Sequence, residues 1–480
     1  MNFPLVRERL FYGMMREMSK TENPAAKLAA KLKRKFGADS VITDPAALAE
    51  LGGDKWFAHH QPDLAVYPKN AEEVSFIMKQ ASAAGVPVTT RGAGYGYVGG
   101  CVPLQGGIVL AMSRMNRIKE VNVKDFVAVV EPGVITGVLQ AAALKKGLFY
   151  PPDPASLKDC SLGGNIATNA GGPRCLKYGV TRHYILGLEV VLMDGSIVRC
   201  GGRTHKNKTG FDLVGMFVGS EGLLGVVTEA TLRLLPAPPA RATLSAGFKN
   251  MRAATKAIQA VFRHGYLPAA LEVADSFTLN AARKYRPDAS FPPGQAHVLL
   301  EVDGQPDSVK GEVLALADLL RAEKATEVET AVDEESCEKL WDLRRAFSFS
   351  LRATGLKKLN EDIVVPRGKL VDLIEFARGL QDRSGFPIAC FGHAGDGNIH
   401  VNIMVGEYEQ PDIRERADAA LDELFDQVIA WGGAITGEHG IGVAKKPYYE
   451  KALSPANRAL HSRIKHALDP QGLLNPGKFV

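Results

Sequence analysis

A chain of 480 residues, 46% hydrophobic and 23% charged, has the composition of a folded globular protein too long for one compact core. Its 58 Lys and Arg against 53 Asp and Glu leave a charge of +5, too mild to argue for a nucleic-acid partner and no obstacle to an acidic small molecule. Six cysteines, at 101, 160, 175, 200, 337 and 390, include no C-x-x-C pair; a locally built iron–sulfur centre or cysteine zinc knuckle is excluded, and scattered thiols suit a reducing, cytoplasmic compartment.

The apolar part of residues 3–10 is interrupted by Arg7, Glu8 and Arg9 and reads as neither leader nor span. Residues 20–35 predict an amphipathic helix within an N-terminal helical segment, 1–55. A solvated helix is the plain reading; peripheral contact with the inner face of a membrane, or with a partner, is the alternative. A strand at 64–68, a helix at 72–83 and a strand at 86–91 then run into a glycine loop, the order of an α/β unit with its ligand at the strand's carboxyl end. A strand at 127–131 and a helix at 136–145 follow, and 186–193 and 197–200 flank Asp194-Gly195, a hairpin signal. Ala237-Pro-Pro-Ala240 ends this first domain, set at 56–238.

Residues 239–432 read as an antiparallel sheet backed by helices, so the fold class is α+β. Its strands are placed at 242–248, 269–273, 298–302, 363–365, 388–391 and 400–404, and its helices at 251–264, 307–322, 333–351, 367–383 and 412–430. The turn-rich segment 433–480 is expected to return toward a ligand site.

The glycines of Arg91-Gly-Ala-Gly-Tyr-Gly96 do not match the spacing of the nicotinamide fingerprint, and alone they mark a βα turn or a phosphate site. In Ser161–Gly172 the backbone N–H groups freed by Gly163, Gly164, Gly171 and Gly172 can approach a pyrophosphate in a nest-like arrangement, with Asn165, Thr168 and Asn169 as further donors. The proline-rich run 151–156 forms a rigid cavity wall, and 217–227 is a strand entered through glycines.

His393 and His400 flank a glycine-rich turn, so two strands joined there can aim both imidazoles at one point; with Glu438 they form a two-histidine, one-carboxylate metal set. His439 is a candidate general base. Neighbouring side chains of an ideal strand face opposite ways, but Gly437, Gly440 and Gly442 make extended backbone unfavourable here.

Residues 60–235 resemble the FAD-binding domain of the vanillyl-alcohol oxidase superfamily, of p-cresol methylhydroxylase type. The resemblance rests on Arg91-Gly-Ala-Gly94, Pro152-Asp-Pro154, Gly163-Gly-Asn165 through Gly172, Lys177-Tyr-Gly179 and Gly219-Ser-Glu-Gly222 with Gly225-Val226. It implies a two-subdomain FAD-binding domain capped by a second domain. Cofactor contacts are expected at Arg91, Gly92, Ala93, Gly94, Tyr95 and Gly96, and at Ser161, Gly163, Gly164, Asn165, Thr168, Asn169, Gly171 and Gly172. Pro152, Asp153, Gly172 and Val226 are expected near the flavin ring, and Tyr178, Gly179, Glu221, Gly222, Gly225 and Asn475 on the cofactor side. The 91–96 loop holds no histidine or cysteine, so FAD is expected to be noncovalent; His59, His60 and Cys101 read as packed residues.

Residues 340–478 resemble the D-lactate, glycolate and D-2-hydroxyglutarate dehydrogenase family in Leu340-Trp-Asp-Leu-Arg344, Glu361-Asp-Ile-Val-Val-Pro366, Gly392–His400, Thr436–Gly442 and Leu468–Lys478. Carried over, the resemblance makes His393, His400 and Glu438 ligands of one divalent metal, zinc preferred with Mn2+ or Fe2+ open. His439 becomes the proton acceptor, Arg344 the carboxylate clamp, and Asn398 a supporting hydrogen-bonding residue. The D-2-hydroxyglutarate members carry a lysine for the distal carboxylate; Asn360 aligns there, with Lys357 and Lys358 nearby but out of register. A short acid, D-lactate or glycolate, is therefore the expected substrate. A separate electron acceptor is implied, whether a redox protein, a quinone or an electron-transfer flavoprotein, and a homodimer is compatible. The alternatives are a D-2-hydroxyglutarate dehydrogenase, an aryl-alcohol or sugar oxidase of the same flavin fold, and a noncatalytic flavin-binding subunit.

Overall fold

Three sheets organise the chain, and the alternation of side chains along their strands decides which faces close on helices and which are left for a ligand. The computed structural model describes residues 24–480, so the reading of residues 3–10 lies outside the described residues. The first sheet, in the order β1-β2-β4-β3, comprises β1 (Val41–Ile42), β2 (Leu64–Val66), β3 (Val88–Arg91) and β4 (Ile108–Ala111). β4 runs parallel to both neighbours, and both it and β2 are continuous apolar runs buried throughout, as parallel strands covered on both faces must be.

Helix α1 (Pro24–Phe36) buries Ala25, Leu28, Ala29 and Leu32 in the same core as Val74, Ile77, Met78 and Ala81 of α2 (Ala71–Ala84). The apolar stripe of this helix from residue 24 onward packs against a neighbouring helix; residues 20–23 of the reading lie outside the described residues. Among the described residues no helix is long and apolar enough to cross a membrane.

The second sheet is antiparallel, in the order β5-β6-β10-β8-β9: β5 (Ile118–Asn122), β6 (Val127–Val130), β8 (Ile185–Val191), β9 (Ile197–Gly201) and β10 (Val226–Arg233). The β8–β9 hairpin turns at Asp194-Gly195 as expected, with Gly195 at φ 82°. β7 (Leu148–Phe149) and β11 (Leu235–Pro236) form a small ribbon beside it. The glycine segment read as a nest-like loop instead opens as a short helix, α3 (Leu162–Thr168), which seats Leu162 and Ile166 in the core beneath this sheet.

The third sheet has seven strands, all antiparallel: β12 (Ala240–Phe248), β13 (Ala270–Ala274), β14 (Ala296–Gly304), β15 (Glu327–Ala331), β16 (Lys357–Val364), β17 (Ile388–His393) and β18 (Asn398–Val405). Their order is β15-β12-β14-β13-β17-β18-β16. Along β18, Ile399, Val401, Ile403 and Val405 face a core built with α4 (Met251–Arg263), α6 (Pro306–Ala322), α8 (Leu370–Ser384) and α9 (Pro411–Ala430). The alternate residues, Asn398, His400 and Asn402, are polar yet equally buried. α5 (Ser276–Tyr285) and α7 (Glu334–Arg352) cover part of that second face through Leu279, Phe347 and Leu351. After α10 (Pro455–Leu468) the tail returns to the first sheet, where Asn475 N–H donates to the Val88 carbonyl at 2.7 Å.

A buried ionic cluster joins the regions. Arg174 donates to Asp153 at 2.7 Å and through Nε to Glu301 at 2.9 Å, and Glu301 also accepts from Arg241 at 3.0 Å and from the Trp341 indole at 2.7 Å. Removing one partner of such a group leaves carboxylates unpaired out of water, so Arg174→Met should cost about 3 kcal/mol. A lower urea midpoint, followed by tryptophan fluorescence, is the expected outcome; an unchanged midpoint would show that Arg241 and Trp341 suffice for Glu301.

Candidate active site

The β17–β18 hairpin does what the spacing of its histidines suggested. His393 pairs with Asn398 and Phe391 with His400, so both imidazoles stand on the polar face. His400 Nε2 lies 3.5 Å and His393 Nε2 3.9 Å from Glu438 Oε1, and one ligand atom from each residue falls within 4.8 Å of the others. The donor set and spacing fit a divalent cation. Burial, joined by the neighbouring carboxylates of Asp362, Asp396 and Glu272, pushes Glu438 up to about 7 against the opposing His393, an environment in which a cation would be a welcome partner.

Glu272 on β13, which the sequence reading missed, ties this cluster to Arg344. It lies opposite His393 in the sheet, 2.6 Å from His393 Nδ1, and accepts from Arg344 Nε at 2.6 Å. Burial works against a charged His393, but the Glu272 carboxylate outweighs it and lifts the imidazole to about 9. Arg344 meets Glu272 through Nε, so this contact does not occupy the terminal amines of its fork. A lone Glu in a nonpolar strand carries no spacing signal; only the strand register reveals it.

Asp362 was also missed as a functional residue. Its Oδ2 accepts from the N–H groups of Gly437, Glu438 and His439 at 2.9, 2.8 and 2.9 Å and from Thr436 Oγ1 at 3.0 Å. Burial would raise this carboxyl, but His439, Lys445 and His400 hold it well below the usual carboxylate range. Three successive N–H groups converging on one oxygen curl the backbone, so the adjacent side chains of Glu438 and His439 need not diverge as they would in a strand. His439 stacks between His400, at a ring distance of 5.7 Å, and Tyr97, at 5.3 Å. Burial lowers its pKa to about 4, against the pull of Asp362, so the imidazole is neutral at physiological pH. Asn398 donates to Asp362 Oδ1 at 2.6 Å and to the Ile363 carbonyl, so it braces Asp362 instead of meeting a ligand itself.

Lys358 departs from the sequence reading. Lys358, Asn360 and Asp362 alternate onto one face of β16, opposite Met404, Asn402 and His400. Lys358 Nζ bonds Ser348 Oγ at 2.9 Å and lies 5.6 Å from the Phe391 ring, which Arg344 also overlies at 5.0 Å and His400 approaches at 5.2 Å. Burial, then Arg352 and Arg344, lower this ammonium to about 7. Lys357 instead reaches the exposed Glu409.

The glycine segments meet as a single cradle. A Cβ on Gly92 would lie 2.4 Å from Ser161 Oγ, on Gly163 2.7 Å from Pro132, and on Gly172 2.3 Å from the Asp153 carbonyl. Ala93 N–H donates to Ser161 Oγ at 3.2 Å, so Ser161 ties the two segments and does not cap α3. Asn475 Oδ1 and Thr90 Oγ1 are buried without a protein partner, as expected beside a polar cofactor.

Several side chains offered as cofactor contacts are committed to protein. Asn165 donates to Thr136, Thr168 to the Gly164 carbonyl and Tyr178 to Asp303; Asn169 accepts from Arg182 N–H. Arg91 turns under its own loop to the Gly53 carbonyl and Cys101, and Tyr95 lies beneath Lys55 at 4.6 Å. Asp153 is held by Arg174, while Pro152 accepts from Gln140 through its carbonyl. Glu221 points away to accept from Ile441 and Gly442 N–H. What Gly94, Gly96, Gly164, Gly171, Gly179, Gly222 and Gly225 can offer is backbone, and Val226 is buried at the start of β10. Gly171 also brings the halves together: a Cβ there would lie 3.7 Å from Glu438 Oε2.

Comparison with known proteins agrees with both halves. Residues 62–201 match the family model described as FAD binding domain, and 237–479 that of the FAD linked oxidases, C-terminal domain. The glycolate oxidase subunit GlcD of Bacillus subtilis is 39% identical over 87% of this chain and 89% of its own length. The D-lactate dehydrogenase of Archaeoglobus fulgidus is 36% identical over 87% and 91%. In fold, the chain is similar to p-cresol methylhydroxylase (TM-score 0.78, 19% identity, 96% of this chain and 97% of that one). 4-Ethylphenol oxidase from Gulosibacter chungangensis is similar too (TM-score 0.77, 21% identity, the same coverage). The chain belongs to the FAD-linked oxidase family that includes the D-lactate dehydrogenases and glycolate oxidase subunits, and it is built on the two-domain p-cresol methylhydroxylase type of fold.

Proposed function

We propose that the protein oxidises a short 2-hydroxy acid, D-lactate or glycolate, to the 2-oxo acid. The observation that carries this reading is the convergence of His393, His400 and Glu438 beside an arginine fork fixed by the same buried Glu272. Arg344 binds the substrate carboxylate, and His393, His400 and Glu438 would hold a divalent ion, which would supply Lewis-acid polarisation of the α-hydroxyl. His439, neutral and wedged between Tyr97 and His400, accepts the hydroxyl proton. Bound FAD supplies the two-electron acceptor for the α-hydrogen and its electron pair. The flavin is noncovalent: Cys101, the thiol that follows the 91–96 glycine loop, is partly buried and engaged by Arg91, and desolvation raises its pKa. Turnover would require a separate electron acceptor, taken to be cytoplasmic, to reoxidise the cofactor.

Lys358 supports a second reading. Its position beside Arg344 and Ser348 suits an acid with a second anionic group, as in D-2-hydroxyglutarate. Anaerobic flavin bleaching with D-lactate, L-lactate, glycolate and D-2-hydroxyglutarate decides between them. D-lactate should outrun its L enantiomer, and His439→Ala should slow bleaching at least about tenfold while retaining flavin. Because His439 titrates near 4, the bleaching rate should show no step assignable to it between pH 6 and 8. A clear preference for D-2-hydroxyglutarate would overturn the short-acid assignment and give Lys358 the distal carboxylate.

Both cofactors can be read from one acid-precipitated sample. FAD should appear intact in the supernatant, and elemental analysis should find one divalent ion per chain, zinc first and manganese or iron next. His400→Ala should lose the metal and keep most of the flavin; equal metal in variant and parent would remove His400 from the ligand set.

A further inference from the structure

The loop carrying Glu438 and His439 has no regular secondary structure of its own between Gly437 and Gly442. It is suspended between two buried carboxylates from different parts of the molecule. Asp362, fully buried on β16, takes the N–H groups of 437, 438 and 439 and the Thr436 hydroxyl on one oxygen. Glu221, buried and at φ 50° in the flavin-domain turn after Gly219, takes Ile441 N–H at 2.7 Å and Gly442 N–H at 2.8 Å. Thr436 Oγ1 also accepts from Gly440 N–H at 3.1 Å, closing the loop on itself. The glycines permit this close packing: a Cβ on Gly440, at φ 86°, would lie 2.8 Å from Glu221 Oε1, and one on Gly437 would lie 2.4 Å from Nδ2 of Asn398, the side chain that donates to Asp362.

We propose that Asp362 and Glu221 are positioning residues that aim Glu438 at the two histidines and hold His439 between Tyr97 and His400, by fixing the backbone of the 436–442 loop. Five of the loop's six N–H groups from Gly437 to Gly442 end on these two carboxylates, Gly440 alone going to Thr436. The Asp362 grip sets Glu438 and His439 directly. Glu221 carries the flavin domain's position to the same loop, because its carbonyl accepts from Asn475 and its N–H donates to Ala167 at the end of the glycine cradle. Substrate affinity rests on a different anchor, since Arg344 is held by Glu272.

This inference rests on the reading of Glu438 as a metal ligand and His439 as the base, and the test separates the two. Full-length flavoprotein carrying Asp362→Asn turns one acceptor of the cluster into a donor facing N–H groups. Zinc affinity, measured by competition with a chromophoric chelator, should weaken at least about tenfold. With zinc saturating and flavin stoichiometric, the limiting bleaching rate should fall at least about tenfold while the substrate dissociation constant stays within about twofold. Glu221→Gln, which keeps one acceptor oxygen, should lower the limiting rate less than Asp362→Asn. Thr436→Val should lower it too, and Thr436→Ser, restoring the hydroxyl, should recover most of the loss; this pair decides the matter if Asp362→Asn does not fold. If His439→Ala bleaches at the parent rate, the reading of the base has failed. If His439→Ala is slow while Asp362→Asn, or Thr436→Val where that pair decides, keeps parent zinc affinity and rate, the positioning role alone is overturned.

Discussion

The polar face of the seven-stranded sheet is buried, and each charge on it therefore needs a partner supplied by the protein or by a ligand. Glu272 is 1% exposed and Asp362 is fully buried, so leaving either carboxylate unpaired would be costly. Glu272 is satisfied by Arg344 and His393, and Asp362 by Asn398 and the N–H groups of a loop. The groups that satisfy these two charges include the candidate metal ligand His393, the candidate clamp Arg344, and the loop that carries Glu438 and His439. The opposite face of the same strands is an ordinary aliphatic core, and that core gives the polar face its rigidity.

Two domains complete this site. The cap sheet brings His393, His400 and Asp362, while the flavin domain brings Gly171 against Glu438, Tyr97 against His439 and Glu221 against the 440–442 turn. The segment between Thr436 and Gly442 belongs to no strand; it meets the cap sheet at Asp362 and the flavin domain at loop residues Tyr97, Gly171 and Glu221. Its glycines are needed for approach as much as for turning: a Cβ on Gly442 would lie 2.3 Å from the Val98 carbonyl. The Arg174 cluster spans the same boundary on the other side of Gly172, so the two regions are joined by buried charge as well as by backbone.

Much of this was legible in the sequence because it depends on period and punctuation. The hairpins at Asp194-Gly195 and at 394–397 announce themselves through glycines between alternating runs, and the two histidines follow from the second one. Residue type does not reveal which protein groups a side chain also meets: Asn165, Tyr178 and Glu221, expected on the cofactor side, each hydrogen-bond within the protein as well. Glu272 and Asp362 could not be singled out, because their roles depend on which strands are neighbours, and chain order does not reveal that β13 lies beside β17. Alignment with the family places Asn360 at the lysine position and leaves Lys358 nearby; the alternation of β16, read with its register against β18, adds that Lys358 shares the face of Asn360, Asp362 and His400.

The fold by itself is silent on the substrate, since this architecture also serves p-cresol methylhydroxylase and 4-ethylphenol oxidase. The chemistry has to come from what the polar face carries. Two imidazoles, a carboxylate and a guanidinium tied through one glutamate suit a ligand with adjacent hydroxyl and carboxylate oxygens, which can bridge a cation and an arginine together. A phenol offers one oxygen and would leave the arginine fork unmatched. Under the proposed reading, the ammonium of Lys358 beside Phe391 would be the variable that sets how far the acid extends beyond its first carboxylate, because burial weakens its charge and a second anion would restore it.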